Sequence, residues 1–187
     1  MTTVPTTLDS RFREAAAAAG LLDVSYDVAD TPIGHLLVAV TDAGLCRISF
    51  DPEPDRDTEH LARVFGTRVL RSPRSVDPVK RELEEYFEGR RRAFDLAVDL
   101  RGRSEFSRHV LEQLARVPYG QVTTYGSLAA RSGRPRAARA VGTIMNRNPI
   151  PIVLPCHRVV GSTGSLVGYG GGLERKRHLL DLEHAPV

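Results

Sequence analysis

Near Gly102 the chain changes character in two independent ways, and any fold must accommodate both. Before it, apolar residues alternate in short runs bounded by turn residues, as in "HLLVAVTDAGLCRISF" and "FDLAVDL". After it, Phe106, Val110, Leu114 and Val117 recur at helical spacing in "SEFSRHVLEQLARV". Charge changes sign at the same place: residues 101–187 carry 13 Lys/Arg against 5 Asp/Glu, and the first hundred carry 13 against 18. Three segments are therefore predicted: an extension over 1–23, an α/β domain over 24–102, and a mainly helical domain over 103–187.

Within the first part, Asp9 is placed to cap an alanine-rich helix that Gly20 stops. "VSYDV" and then "HLLVAVTDAGLCRISF" read as strands, the latter a hairpin with an Asp/Gly-containing turn. Cys46 falls inside the third strand as a small buried hydrophobe. The acidic, proline-containing "DPEPDRDT" is predicted as a loop and "EHLARVF" as a helix. "DPVKRELEEYFEG" is a stronger helix, with Pro near its start and Gly near its end, and "FDLAVDL" is a strand.

Beyond Gly102, "PYG" breaks the first helix. A short helix, "YGSLAARS", stops at Gly133, and a second, "PRAARAVGTIMNR", is opened by Pro135; the pair is a candidate helix-turn-helix. In the second helix Ala138, Val141 and Met145 share one face, and Arg136, Arg139, Thr143 and Arg147 share another. One face packs and the other is free for phosphates; a solvated arginine face is the alternative. Gly142 costs about 1 kcal/mol against alanine in a helix, which points to close approach of another backbone. No acidic residue occurs between Gln113 and Leu173, although Arg recurs throughout. That is the electrostatic footprint of a polyanion-binding face, most often for nucleic acid.

No apolar run approaches the roughly 20 residues of a membrane span. The start, "MTTVPTTLDSRFREAAAAAG", lacks the basic-then-apolar layout of a signal peptide, so a cytoplasmic location and no membrane partner are expected. Cys46 and Cys156 are too few and too far apart for a disulfide framework, and no C-x-x-C or H-E-x-x-H spacing occurs, so free thiols and no metal are predicted. Cys156 stands in "PIVLPCHRVVG". A thiol reacts as thiolate and needs a neighbouring cation or base, but adjacency in sequence does not establish that His157 or Arg158 reaches the sulfur. The alternation of Ile150, Ile152 and Leu154 with Pro149 and Pro151 predicts an extended, largely buried segment delivering Cys156 to the edge of a core. The residues taken alone leave a structural and a catalytic cysteine both open.

Five blocks, "VPYGQVTTYGSLA", "RAARAVG", "NPIPIVLPCHRV", "PCHRVVG" and "GYGGGLERKRHLLDLE", fall in one order with close spacing over Phe106 to Glu183. Together they resemble the O6-alkylguanine-DNA alkyltransferases, also called methylated-DNA–protein-cysteine methyltransferases. The N-terminal part resembles that family more loosely, through "TPIGHLLVAVTDAGLCRISF" and "LEEYFEG", and the first two dozen residues have no counterpart. The fold this resemblance implies is a ribonuclease-H-like α/β N-terminal domain followed by a mainly α C-terminal domain with a helix-turn-helix.

The resemblance also implies residue roles. Cys156 would take the alkyl group from guanine O6 in DNA, with O4-alkylthymine an open further substrate; the thioether would not be hydrolysed, so each molecule would act once, without a cofactor. His157 would remove the thiol proton through a water, with Glu183 orienting the imidazole. Tyr125 would donate to guanine N3, and Lys176 would supply positive charge near O6. Lys176 is one of only two lysines against 24 arginines, and its seven-residue spacing from Glu183 would put both on one side of a helix. Pro151, Val159, Tyr169 and Gly170 would wall the pocket. The partner implied is double-stranded DNA containing O6-alkylguanine, with the target nucleotide turned out of the stack. Arg139 would take its place, and the second helix would lie in the minor groove. Ala137, Ala138 and Gly142 would permit that close fit, with Arg136 and Arg147 as phosphate contacts. Asn148 would tie the end of this helix to the active-site strand. A monomer is expected in solution, with cooperative assembly on DNA left open.

The chain departs from the family pattern at Ile144-Met145, where many relatives have Ala-Asn, and at Gly170, where some have serine. The Cys/His set for a structural zinc and the cysteine-rich sensor of the adaptive-response regulators are both missing. The glycines of 168–172 are followed by no G-K-[ST] and do not read as a phosphate cradle. Two other functions compete: a non-catalytic alkyltransferase-like lesion sensor, which the acceptor cysteine argues against, and a cysteine hydrolase, which lacks an oxyanion-hole motif and places its pair on one strand end.

Overall fold

A run of apolar residues buried on both faces, Leu36, Leu37, Val38 and Ala39, forms the centre of the N-terminal sheet. The computed structural model describes residues 6–186, which divide into two compact units. One holds the chain up to Glu84 together with Asp95–Arg101; the other holds Glu85–Phe94 together with the chain from Gly102 onward. The N-terminal part expected to run unbroken from 24 to 102 thus gives up ten residues to the second unit.

In order, the first unit contains α1 (Thr6–Ala18), β1 (Val24–Thr31), β2 (Gly34–Thr41), β3 (Gly44–Phe50), α2 (Pro54–Phe65), β4 (Val69–Arg71) and most of α3 (Pro73–Phe87). The sheet order is β3-β2-β1-β4, antiparallel except for the parallel β1/β4 pair. Period-two alternation sends Leu37 and Ala39 of β2 to one face, where they meet Val24, Cys46 and Leu61 of α2, with Phe65 packed alongside. Asp57 holds the start of α2 by accepting from the backbone N–H of Glu53 at 3.0 Å and from Ser49 Oγ at 2.9 Å. Lys80 is paired with the buried Asp27, which also accepts from Arg71 Nε at 2.6 Å.

Several expectations are corrected here. Asp9 lies inside α1, bonded to Arg13 at 2.8 Å, and does not cap it; Gly20, at φ +65, does close the helix. Most of "DPEPDRDT" is helical, because Pro54 lacks the N–H that the first turn leaves unused. Helix α3 starts at Pro73, five residues before Pro78. "FDLAVDL" makes only an isolated bridge, Val98 to Leu45, and β4 was not foreseen because three residues carry too short a pattern.

The second unit contains α4 (Glu105–Ala115), β5 (Thr123–Thr124), α5 (Tyr125–Arg131), α6 (Ala138–Asn146), a single 3-10 turn (Cys156–Arg158), β6 (Val159–Val160) and α7 (Leu173–Leu182). Ser104 caps α4 by accepting from Ser107 N, and Val110, Leu111 and Leu114 are its buried stripe. Helices α5 and α6 are joined by a turn with Gly133 at φ +75. The parallel β5/β6 pair brings Thr123 opposite Val159, so the start of α5 lies next to the chain leaving the 3-10 turn.

Candidate active site

The local chain path around Cys156 is set by Asn148. Its Nδ2 donates to Leu154 O at 2.7 Å, its Oδ1 accepts from Ile150 N at 3.1 Å, and Leu154 N returns to Ile150 O at 2.9 Å. The segment is therefore a tight turn, with Ile152 at φ +76, and not the extended run expected from its alternation. A β-branched residue in that region is strained by about 1–3 kcal/mol, so the surrounding hydrogen bonds must hold it there. Burial of Ile150, Ile152 and Leu154 agrees with the pattern; the alternation arose from packing in a turn and not from a strand.

Cys156, His157 and Arg158 follow on the 3-10 turn, correcting the placement on a strand end. About 120° separates successive residues at three per turn, so adjacent side chains diverge. All three are buried nonetheless, at 5 %, 0 % and 6 % exposure. Asn148 and Tyr169 both interact electrostatically with the thiol. Burial pushes the Cys156 pKa up to about 11, against the favourable interaction with Asn148 and the charge of Lys176. At pH 7 such a thiol is held almost entirely protonated. A nucleophile held like this needs a base during the reaction.

His157 supplies a candidate. Its Nε2 lies 3.0 Å from Glu183 Oε1. Burial works to raise the Glu183 pKa, but the bonds from His157 and Arg158 outweigh it and bring the carboxyl down to about 2. An ionised carboxylate can only accept, so Nε2 carries the proton and the lone pair of the neutral ring is on Nδ1. Nδ1 is buried without a hydrogen-bond partner among the described residues. Burial lowers the His157 pKa despite Glu183, which keeps the ring neutral.

Glu183, at the C-terminal end of α7, is gripped by three other partners. Arg158 donates Nε to Oε2 and Nη2 to Oε1, both at 2.8 Å, while its Nη1 reaches Val117 O at 2.6 Å. Tyr86 donates its hydroxyl to Oε1 at 2.7 Å, Gly120 donates its N–H to Oε2 at 3.2 Å, and Tyr119 secures the helix end through Leu182 O at 2.9 Å. Tyr86, Tyr119 and Gly120 were not singled out from sequence, and Arg158 was named only as a neighbour of the thiol, not as the partner of Glu183. Arg158 had a signal, as a lone cation inside the apolar run "PIVLPCHRVVG", where burial demands a partner. Tyr86 had only its helical spacing from Val79 and Leu83, and "PYG" read as nothing more than a helix breaker.

Gly120 has a steric role as well. It sits at φ +71, and a Cβ there would lie 2.8 Å from Glu183 O. Gly120→Ala should destabilise the protein by about 1–3 kcal/mol through strain at that φ, read as a lower urea midpoint with unchanged slope. A midpoint equal to wild type would contradict this role for the turn.

Lys176, fully buried, donates Nζ to Val159 O at 2.6 Å and Val167 O at 2.9 Å. Burial lowers its pKa, and the charge of Cys156 opposes that. Tyr125 opens α5, with its hydroxyl 3.5 Å from the same Val167 O; burial and then Cys156 raise its pKa. Tyr125, Lys176, Tyr169 and Asn148 are thus gathered around Cys156 or the Val167 carbonyl. Pro151 and Val159 are buried. Gly170 is exposed, and a Cβ there would lie 3.6 Å from Asn146 O, so a serine would fit.

On the helix-turn-helix, α6 opens at Ala138, with Ala137 as its N-cap, and not at Pro135; Arg136 therefore lies in the preceding turn. Val141 and Met145 are buried, while Arg136, Arg139, Thr143 and Arg147 are exposed. Among the described residues these three arginines pair with no carboxylate, whereas Arg134 stacks over Phe106 at 4.4 Å. Arg147 lines a cavity of about 200 Å³ with Arg103, Ser104, Ser107 and Thr143. The neighbour of Gly142 is the Tyr125 ring, 3.9 Å from where a Cβ would stand, and not another backbone.

Two family models match the chain: "6-O-methylguanine DNA methyltransferase, ribonuclease-like domain" over residues 24–100 and "6-O-methylguanine DNA methyltransferase, DNA binding domain" over 105–185. The chain belongs to the 6-O-methylguanine DNA methyltransferase family. It is 43% identical to a methylated-DNA–protein-cysteine methyltransferase of Mycolicibacterium paratuberculosis over 88% of this chain and 96% of that one. The match to the Methanosarcina barkeri protein of the same name is 40% over 84% and 96%. Among solved structures, the Mycobacterium tuberculosis OGT in complex with DNA superposes with a TM-score of 0.75 at 39% identity, covering 87% of this chain and 95% of that one. Family membership and fold make this a cysteine-based DNA repair alkyltransferase with a mixed-sheet N-terminal domain, a helical C-terminal domain and DNA as its partner. No helix among the described residues is long and apolar enough to cross a membrane.

Proposed function

We propose that this alkyltransferase removes the alkyl group of O6-alkylguanine from duplex DNA and keeps it on Cys156, once per molecule. The observation that carries the reading is the buried Cys156 thiol on one turn with a neutral, Glu183-anchored His157 whose Nδ1 has no other partner among the described residues. His157 Nδ1 takes the thiol proton through one water. The sulfur attacks the alkyl carbon, the carbon–O6 bond breaks, and its electron pair goes to the guanine. Tyr125 donates toward N3 as charge grows on the leaving base, and Lys176 keeps the developing thiolate in a positive field. The products are a Cys156 thioether and guanine, which regains one proton. Neither thioether carbon is activated toward water, so the protein is spent. Pro151, Val159, Tyr169 and Gly170 would wall the base pocket.

The lesion can reach so buried a sulfur only outside the base stack. Arg139 on α6 would fill the gap it leaves, with Ala137, Ala138 and Gly142 against the minor groove, Arg136 and Arg147 on phosphates, and Asn148 coupling α6 to the nucleophile. Support comes from the three exposed arginines, which pair with no carboxylate among the described residues, and from Asn148 bridging the end of α6 to Leu154. Arg139→Ala should slow transfer from lesion duplex roughly tenfold to a hundredfold, the worth of a few kcal/mol of unstacking. It should leave transfer from free O6-alkylguanine base unchanged; equal loss on both substrates would contradict the role.

The deciding experiment mixes the protein with excess O6-methylguanine duplex and reads intact mass and peptide map. A gain of one methyl per chain on Cys156 is expected. Tight lesion binding with no mass change would favour the non-catalytic sensor instead.

A further inference from the structure

The second unit is not continuous in sequence: it recruits Glu85–Phe94 from outside the segment that the DNA-binding family model spans. Among those ten residues is Tyr86, fully buried in a ring cluster with Phe87, Phe94 and Tyr119 at centroid distances of 5.4, 5.3 and 6.1 Å. A phenol is not needed to fill such a cluster, since phenylalanine has nearly the same shape. The hydroxyl has a specific target in Glu183 Oε1, at 2.7 Å. That oxygen is also the one facing His157 Nε2.

We infer that Tyr86 is a positioning residue for alkyl transfer: its hydroxyl fixes Glu183 Oε1 against His157 and holds down the negative charge which that oxygen presents to the imidazole. The inference rests on the relay proposed above. Oε1 accepts three donors, from Tyr86, His157 and Arg158, and Oε2 accepts two, from Arg158 and Gly120. Each donor withdraws charge from the carboxylate. A carboxylate thus neutralised orients the imidazole through Nε2–H without drawing a second proton onto Nδ1, which leaves Nδ1 able to act as a base. With fewer donors, the same carboxylate would favour the imidazolium, and the base would be occupied before the substrate arrived.

The charged and titratable groups around His157 make this a balance of few parts. Glu183 favours the imidazolium, whereas Arg158 and Lys176 oppose it. Tyr86 and Tyr119 face the Glu183 end of the network, and Cys156 and Tyr169 lie on the nucleophile side. Tyr86 itself stays protonated, because burial and the adjacent Glu183 raise its pKa. It therefore acts as a fixed donor over the whole working range.

The test uses the full chain carrying Tyr86→Phe, and a second variant with 3-fluorotyrosine at position 86, whose more acidic phenol is a stronger donor. Two readouts are taken: the His157 titration by NMR, and the pH dependence of transfer from free O6-benzylguanine base, whose acid limb reports the base. For Tyr86→Phe both should move upward by roughly half a pH unit, a fraction of the effect of a full neighbouring charge. The fluorinated protein should move both downward. A purely structural role would lower the unfolding midpoint without moving either pH readout in opposite senses. A folded Tyr86→Phe protein with an unshifted His157 titration would overturn the inference; if it did not fold, an unshifted or upward-moving fluorotyrosine variant would do the same. Absence of transfer by the wild type would defeat the function proposed above, and the NMR titration would still decide the role of Tyr86.

Discussion

Cys156→Ala should abolish the gain of mass on exposure to O6-methylguanine duplex while leaving lesion binding in place. This is the largest effect expected, because the thiol is a reactant and no neighbouring group can replace it. The other cysteine is no substitute: Cys46 is buried in β3, donates its thiol to Ala39 O at 3.2 Å, and has a pKa pushed up to about 12, chiefly by burial. Binding should survive because the exposed arginines of the helix-turn-helix are untouched. Intact-mass spectrometry and a lesion-duplex shift assay on the same sample separate the two outcomes. A methyl group found on the alanine variant would remove Cys156 from the mechanism.

Arg158→Met is the substitution with the largest expected effect on stability, about 3–5 kcal/mol, because it leaves a buried carboxylate without its counter-ion. Arg158 supplies two of the bonds to Glu183 and one to Val117 O, and methionine replaces only its stem. The pH dependence gives the effect a signature. The folded-state pKa of Glu183 lies at about 2, below its ordinary 4.5, so its stabilising contribution is fully present above 4.5 and is lost as pH falls toward 2. In the variant, protonating Glu183 relieves the unpaired charge, and the deficit should be large at pH 7 and small near pH 3. Urea unfolding at the two pH values measures this. A deficit unchanged between them would mean that lost packing, and not the orphaned charge, accounts for the instability. Transfer should also fail at neutral pH, since the carboxylate facing His157 would no longer be neutralised.

The two predictions bear on different halves of one arrangement. On one side, burial holds the thiol protonated; on the other, burial keeps the imidazole neutral against the pull of Glu183, which the donors on that carboxylate limit. The single turnover proposed above gains from this pairing, because a resting thiolate would be open to oxidants and stray electrophiles. In the proposed reaction, reactivity is released by the bound lesion and the proton transfer it permits.

Much of this was legible in the residues. The change of period and charge near Gly102 separates a sheet-bearing part from a helical one, since apolar spacing directly reflects which face is buried. The β2–β3 hairpin, α4 and the paired helices α5 and α6 all follow from local pattern and turn chemistry. Elements whose form depends on distant partners were misread. The turn at Asn148–Leu154 looks like a strand because buried apolar residues alternate with prolines, yet side-chain bonds from Asn148 bend it and hold Ile152 at positive φ. "FDLAVDL" alternates as a strand would, but finds only the bridge to Leu45.

By itself the sequence determined the order of the blocks, the acid-free arginine region, the position of the sole cysteine set between a proline and a histidine, and hence the family and its chemistry. Only the tertiary structure decided what surrounds that chemistry: the fork of Arg158 on Glu183, the hydroxyl of Tyr86 on the same oxygen, and the transfer of Glu85–Phe94 to the second unit. The reason is physical. Local pattern records which faces are apolar, whereas the partner of a buried charge is fixed by three-dimensional proximity between residues up to 97 positions apart, and no periodicity along the chain encodes it.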